Sequence, residues 1–202
     1  MRTVVHQFVS EGQKGFVPKA FIAECSMLLN LIEAYVNDEP EDRGGLFVFL
    51  DMEKAFDRCS YKYLLDALKA VGFGENFIKY VRLMYNTQKP PQRRIYANGY
   101  YSDWFDIKSG VAQACPLSPL LFLMVAEGLR ASIDLDKRIR GIRVGKCKYK
   151  LSQFADDTTL ILRSPQEFKH ALKAIDRWCL ATGMKENKDK REGVAMGNFR
   201  HL

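Results

Sequence analysis

Apolar positions along the chain change period several times, and each change predicts an element. In residues 21–37, Ile22, Leu28, Leu29, Ile32, Tyr35 and Val36 recur at helical spacing, which predicts a helix. Residues 37–45, with Pro40, Gly44 and Gly45, read as a loop. Leu46-Phe47-Val48-Phe49-Leu50 is an unbroken apolar run between turn residues, the pattern of a short strand covered on both faces, and it stops at Asp51. Helices are predicted over 61–71 and 75–85, parted by Gly72-Phe73-Gly74. Residues 93–97 and 102–107 flank Asn98-Gly99, a hairpin signal because these two types accept the positive φ of a tight turn. Pro116 and Pro119 introduce a helix over 119–133, since proline fits a first helical turn. Residues 142–144, 149–154 and 158–162 read as strands, with Asp156-Asp157 at a turn between the last two. A helix over 165–181 and a short strand over 193–196 follow. Strands and helices mix without regular alternation, so the predicted class is α+β with a mainly antiparallel sheet.

Composition narrows the picture without deciding it. The 202 residues can bury a sizeable core, and 47% hydrophobic with 27% charged residues is ordinary for a globular chain. The longest apolar stretch, around 117–126, is well short of the roughly 18 residues of a membrane span. Nothing after Met1-Arg2-Thr3 resembles a secretory leader, so an intracellular location, nuclear or cytoplasmic, is expected. Cys25, Cys59, Cys115, Cys147 and Cys179 are odd in number and unclustered, as are His6, His170 and His201. That pattern argues against a disulfide framework or a zinc site and predicts mostly buried, reduced cysteines. The formal charge of +7 suits a phosphate-backbone partner, although many proteins that never meet nucleic acid are as basic.

The carboxylates carry the candidate chemistry. Asp51 ends a hydrophobic strand, where scaffold meets solvent. Asp156 and Asp157 are adjacent anions within a hairpin of apolar strands. Turn chemistry alone explains a bare Asp-Asp pair, but a divalent cation would also offset its repulsion, and hard oxygen ligands suit magnesium. If the hairpin lies beside the strand ending at Asp51, Asp51 and Asp156 can converge on a shared site for two ions roughly 3.5–4 Å apart. Such a site fits phosphoryl transfer, which needs positioning and charge neutralisation above all.

Five segments in order, Gln13 to Pro18, Leu50 to Asp57, Gly110 to Phe122, Phe154 to Asp157 and residues 183–193, resemble those of reverse transcriptases of the non-LTR retrotransposon and group II intron kind. Phe154-Ala155-Asp156-Asp157 is similar to the family's F-A-D-D box, and Leu50-Asp51-Met52-Glu53-Lys54-Ala55-Phe56-Asp57 to its L-D-x-x-K-A-F-D segment. The stretch from Gly110 through Gln113, Cys115-Pro116-Leu117-Ser118-Pro119 to Phe122 resembles the G-V-R-Q-G-C-P-L-S-P-L-L-F box. Gln13-Lys14-Gly15-Phe16-Val17-Pro18 resembles the fingers motif, and residues 183–193 the G-L-K-L-N-x-x-K-x-E-G end. The resemblance implies an RNA-directed DNA polymerase with a palm, partial fingers and no thumb, divided as 1–45 partial fingers and 46–202 palm with a fingers insertion around 58–110. It implies Asp51, Asp156 and Asp157 as catalytic metal ligands for two Mg2+ ions, with Mn2+ an alternative. It also implies Phe56 as the ring that excludes a sugar 2′-hydroxyl, Gln113 at the incoming nucleotide, and Lys190 near the triphosphate. The implied partners are an RNA template, a DNA primer and dNTPs, with no membrane, and a separate chain or missing segment to supply thumb and endonuclease.

Some positions depart from the pattern. Ala20 stands where the family has a basic side chain that grips the triphosphate, leaving Lys19 as a displaced point charge. Ala112 and Ala114 replace an arginine and a glycine around Gln113, and Glu186 replaces an apolar residue. Two further readings follow: a catalytically impaired remnant that keeps the palm and binds nucleic acid or protein, and an RNA-templated RNA polymerase, which Phe56 disfavours. For Phe56, core packing is also open, and for Lys190 a solvated charge.

Overall fold

The structure, a computed structural model, describes residues 5–38 and 43–200. The first predicted helix forms as α1 (Ile22–Asp38), burying Ile32 and Val36. The apolar run before Asp51 forms β1 (Gly44–Leu50); Pro40 and the loop around it lie outside the described residues. A single turn, α2 (Ala55–Arg58), precedes α3 (Tyr61–Ala70) and α4 (Glu75–Met84). Ser60 caps α3 by accepting from the Tyr63 amide.

The predicted hairpin forms in two pieces. β2 (Gln92–Arg93) pairs with β5 (Phe105–Asp106), and β3 (Tyr96–Ala97) with β4 (Tyr100–Tyr101). Asn98 and Gly99 both take positive φ, 49° and 84°, as the turn requires. Between the pieces the Ser102 hydroxyl accepts from the Ile95 amide at 2.9 Å, so a side chain replaces one rung of the ladder.

Next come α5 (Ser118–Leu135), β6 (Ile142–Val144), β7 (Cys147–Tyr149), β8 (Leu151–Phe154), β9 (Asp157–Leu162), α6 (Pro165–Thr182) and β10 (Glu192–Gly197). The strand predicted over 149–154 is broken at Lys150. Its buried ammonium donates to the carbonyls of Ile133, Asp134 and Asp136 at 2.9, 2.7 and 3.1 Å. These are orphan acceptors at the end of α5, and satisfying them offsets the burial that pushes the Lys150 pKa down.

The sheet has the order β10-β1-β9-β8, all neighbours antiparallel. Val48, Leu50, Leu160 and Leu162 pack into one core with α3, α5 and α6, and α5 is buried continuously from Leu120 to Ala126. Phe47, Ile161 and Met196 meet Ile32 and Val36 of α1 on the other face. β1 is therefore covered on both faces, as its unbroken apolar run predicts. All five cysteines are free: Cys59 is buried, Cys25, Cys115 and Cys179 are half-buried, and Cys147 is exposed on β7, so burial of the thiols holds only in part. Among the described residues no helix is long and apolar enough to cross a membrane.

Candidate active site

The pairing of β1 with β9 decides where the acids meet. Leu50 is opposite Thr158, so the next residues outward are Asp51 on one strand and Asp157 on the other. β8 and β9 close on Phe154 and Asp157, leaving Ala155-Asp156 as a two-residue turn. Asp51, Asp156 and Asp157 thus gather at one end of the sheet. Partial desolvation, then the charges of Asp156 and Asp51, push the Asp157 pKa above the usual carboxylate range.

This crowding suits a divalent cation. Three hard-oxygen donors gathered at one end of the sheet, with the Asp157 pKa raised by burial and by its neighbours' charge, match what a small dication takes. Lys190 Nζ stands 3.6 Å from Asp51 Oδ2 and offsets part of the charge. Among the described residues no group of three or more His, Cys, Asp or Glu is gathered tightly enough to cage an ion unaided. Magnesium does not need such a cage, since it is commonly held by one or two carboxylates together with substrate phosphates and water.

Phe56 and Gln113 are brought to one cavity of about 290 Å³, which Phe16, Ala112, Ala114 and Cys115 also line. The Val111 amide donates to the Phe56 carbonyl at 2.7 Å and the Gly110 amide to that of Cys59 at 2.8 Å, tying this loop to α2. Gly110 has φ 89°, and an added Cβ would stand 2.7 Å from the Asp57 carbonyl oxygen, so only glycine fits. Phe56 stacks on Phe122 at 4.7 Å and meets Phe16 edge-on at 6.0 Å. It is therefore packed on one side and open to the cavity on the other, so both readings of this ring describe part of its environment. Gln113 Nε2 donates to Asp57 Oδ1 at 3.3 Å. Lys19 is not in this cavity; it lines a neighbouring one of about 500 Å³ that shares Phe16 and Pro119. Ala114 has a positive φ of 62°, the left-handed region that favours glycine. Glu186 is accommodated by a second departure from apolar packing: its buried carboxylate accepts a fork from Arg191 at 2.6 and 2.7 Å.

Sequence reasoning gave no role to Gln13, which the structure places under the acidic turn. Gln13 is 2% exposed. Its Oε1 accepts from the amides of Ala155 and Gly15, both at 2.8 Å, and its Nε2 donates to the Ala155 carbonyl at 3.1 Å. Both backbone groups of Ala155, which sits at φ 57°, are thus held by one side chain. Gly15 packs against the same peptide: a Cβ there would lie 2.1 Å from the Ala155 nitrogen. Backbone bonds from Lys14 to Gln153 and from Gln153 to Gly12, both 2.9 Å, lay residues 12–14 along β8. The Gln-x-Gly spacing is visible in the sequence, but the partner 142 residues away is not.

Comparisons with known proteins fit this geometry. The profile of the family described as reverse transcriptase (RNA-dependent DNA polymerase) matches residues 1–202. The Retrovirus-related Pol polyprotein from type-2 retrotransposable element R2DM of Drosophila melanogaster is 29% identical over 178 residues, covering 88% of this chain and 16% of that protein. The Transposon TX1 uncharacterized 149 kDa protein of Xenopus laevis is 29% identical over 205 residues, covering 99% of this chain and 15% of that protein. The chain thus spans about a sixth of the length of these relatives. Among solved structures, apo telomerase from Candida Tropicalis matches with a TM-score of 0.66 at 12% identity, over 91% of this chain and 33% of that one. That likeness shows the fold, a palm of sheet and packed helices; the profile match over residues 1–202 places this chain in the reverse transcriptase family.

Proposed function

We propose that this chain carries the nucleotidyl-transfer centre of an RNA-directed DNA polymerase. The observation that carries the reading is the convergence of Asp51, Asp156 and Asp157 at one end of the sheet, where burial and then its neighbours' charge push the Asp157 pKa up. In the reaction, the oxygen of a primer 3′-hydroxyl bonds to the α-phosphorus of a dNTP. The α–β phosphoanhydride bond breaks, pyrophosphate leaves, and the hydroxyl proton passes to solvent. Two Mg2+ ions, or Mn2+ in their place, would supply charge neutralisation and a more acidic hydroxyl when bound. Asp51, Asp156 and Asp157 would hold them. Phe56 faces the cavity where a sugar would lie and excludes a 2′-hydroxyl by its bulk. Gln113 orients the incoming nucleotide against the RNA template. Lys190, on the Asp51 side, moves toward departing pyrophosphate, and Lys19 supplies a weaker charge from the neighbouring cavity.

In this reading residues 1–45 are partial fingers and 46–202 the palm, with a fingers insertion around 58–110. The second reading, a palm that binds nucleic acid or a protein partner without catalysis, is favoured by Ala114 at positive φ and by the missing charge at Ala20. Primer extension on poly(rA)/oligo(dT) with dTTP and magnesium separates the two. Extension that vanishes in Asp156→Ala, Asp157→Ala supports the polymerase. Folded, duplex-binding protein that extends nothing at high concentration leaves the binding module.

A further inference from the structure

Away from the carboxylates, the sheet ends on a second cavity, of about 640 Å³. Gly44, the first residue of β1, and Ser164, just past β9, belong to its wall. The length of β1, at about 3.3 Å per residue, puts it roughly 20 Å from Asp51. Arg43, Arg138, Arg140, Arg143 and Arg163 line it, and Glu167 is its acidic member. Arg138 is forked onto Asp136 at 2.9 and 2.7 Å, and Arg43 lies over the Tyr35 ring. The side chains of Arg140, Arg143 and Arg163 are exposed and have no ion pair or hydrogen bond among the described residues.

The wall is built to hold these charges together. The Glu167 carboxylate is 5% exposed and accepts from the amides of Gly141 at 3.0 Å and Arg163 at 3.2 Å. It staples the chain entering β6 to the chain leaving β9, and its charge is spent on backbone rather than on guanidinium. Gly141, at φ 66°, would place a Cβ 2.2 Å from the Tyr149 carbonyl oxygen, so the turn between Arg140 and Arg143 is fixed in a glycine-only form. His170 Nδ1 in the same wall is buried without a hydrogen-bond partner among the described residues. The first turn of α6 adds Ser164 and Gln166, and no side chain caps that end.

We propose that this cavity is a second nucleic-acid site, where Arg140, Arg143 and Arg163 bind successive phosphates of an RNA strand. Three exposed guanidinium groups without partners among the described residues, lining one cavity, suit a phosphodiester chain, which offers one charge per nucleotide. The choice of RNA among polyanions rests on the polymerase reading; the arginine geometry does not.

The test is fluorescence anisotropy of a labelled mixed-sequence RNA single strand with the whole chain over a salt series. Replacing Arg140→Ala, Arg143→Ala and Arg163→Ala together should weaken binding at least about tenfold and lower the log–log salt slope by about 2, from about 0.7 per phosphate contact. The corresponding triple lysine variant should keep the slope, which separates lost charge from a disturbed fold, as should an unchanged unfolding midpoint. Unchanged affinity and slope in the alanine variant overturn the proposal. Displacement of RNA by low concentrations of inorganic tripolyphosphate also overturns it, by showing a small-anion pocket. RNA binding with the expected slope but no primer extension sinks the polymerase and leaves the arginine site standing. Primer extension with an alanine variant that binds RNA normally does the reverse.

Discussion

At one end of the sheet three carboxylates crowd a tight turn; at the other, three guanidinium groups stand around a cavity whose own acid is turned away from them. Both ends hold like charges together, and a buried polar side chain does the holding by bonding to backbone. Gln13 pins Ala155 at the acidic end, and Glu167 pins Gly141 and Arg163 at the basic one. The difference lies in access. At the acidic end desolvation, then the neighbouring charges, raise the Asp157 pKa, which suits a compact dication, whereas the arginines are exposed, which suits an extended polyanion. Each clamp also satisfies buried backbone groups that would cost about 1–3 kcal/mol apiece if left unpaired.

The most severe way to break the comparison is Asp51→Asn. Primer extension should fall at least about a thousandfold, while RNA affinity and its salt slope stay unchanged; a parallel loss of RNA binding would mean the two ends are one site. Gln13→Ala should lower kcat about a hundredfold by loosening the turn, with little change in KM for dTTP. Adding Ala155→Gly should return part of that activity, since glycine holds positive φ without a clamp. Full activity of Gln13→Ala would reduce the residue to packing.

Two buried glutamates sharpen the contrast further. Glu186→Ala strands Arg191 and should cost about 2 kcal/mol in urea unfolding, below the range for fully buried pairs because Arg191 is partly exposed. Glu186→Leu with Arg191→Leu should restore most of it. Glu167→Gln should be nearly neutral, because an amide oxygen still accepts from both backbone groups, whereas Glu167→Ala should also weaken RNA binding. A smaller gain, about 1 kcal/mol, is expected for Ala114→Gly through relief of positive φ.

The smallest effect is in titration. Because Asp157 keeps its proton longer in the folded chain than in the unfolded one, its contribution to stability is present below the ordinary carboxylate range. That contribution is lost as pH rises through the raised value. In Asp51→Asn and Asp156→Asn the Asp157 carboxyl 13C titration should move to lower pH, the larger shift following Asp156; no movement would mean the three acids are not coupled.

Local patterns carried much of this in the sequence. The unbroken run 46–50 declared a strand covered on both faces, the helical stripes placed α1, α3, α4, α5 and α6 within a few residues, and Asn98-Gly99 named its turn. Asp51, Asp156 and Asp157 were legible because acids at strand ends and turns break the local hydrophobic pattern, and Phe56 and Gln113 through resemblance alone. Other features depended on partners distant in the chain. The break at Lys150 follows from carbonyls at the end of α5, and the grip on Ala155 from a glutamine 142 residues earlier. Lys19 lay near the site in sequence terms, yet folding put it in the next cavity. By itself, then, the sequence determined which segments are helix or strand, which faces are apolar and which acids stand out, because those depend on period and on residue type. Only the tertiary structure decided which of those acids meet, what holds their turn, and where the arginines gather, because hydrogen bonds and charges act through space between residues that the chain order keeps far apart.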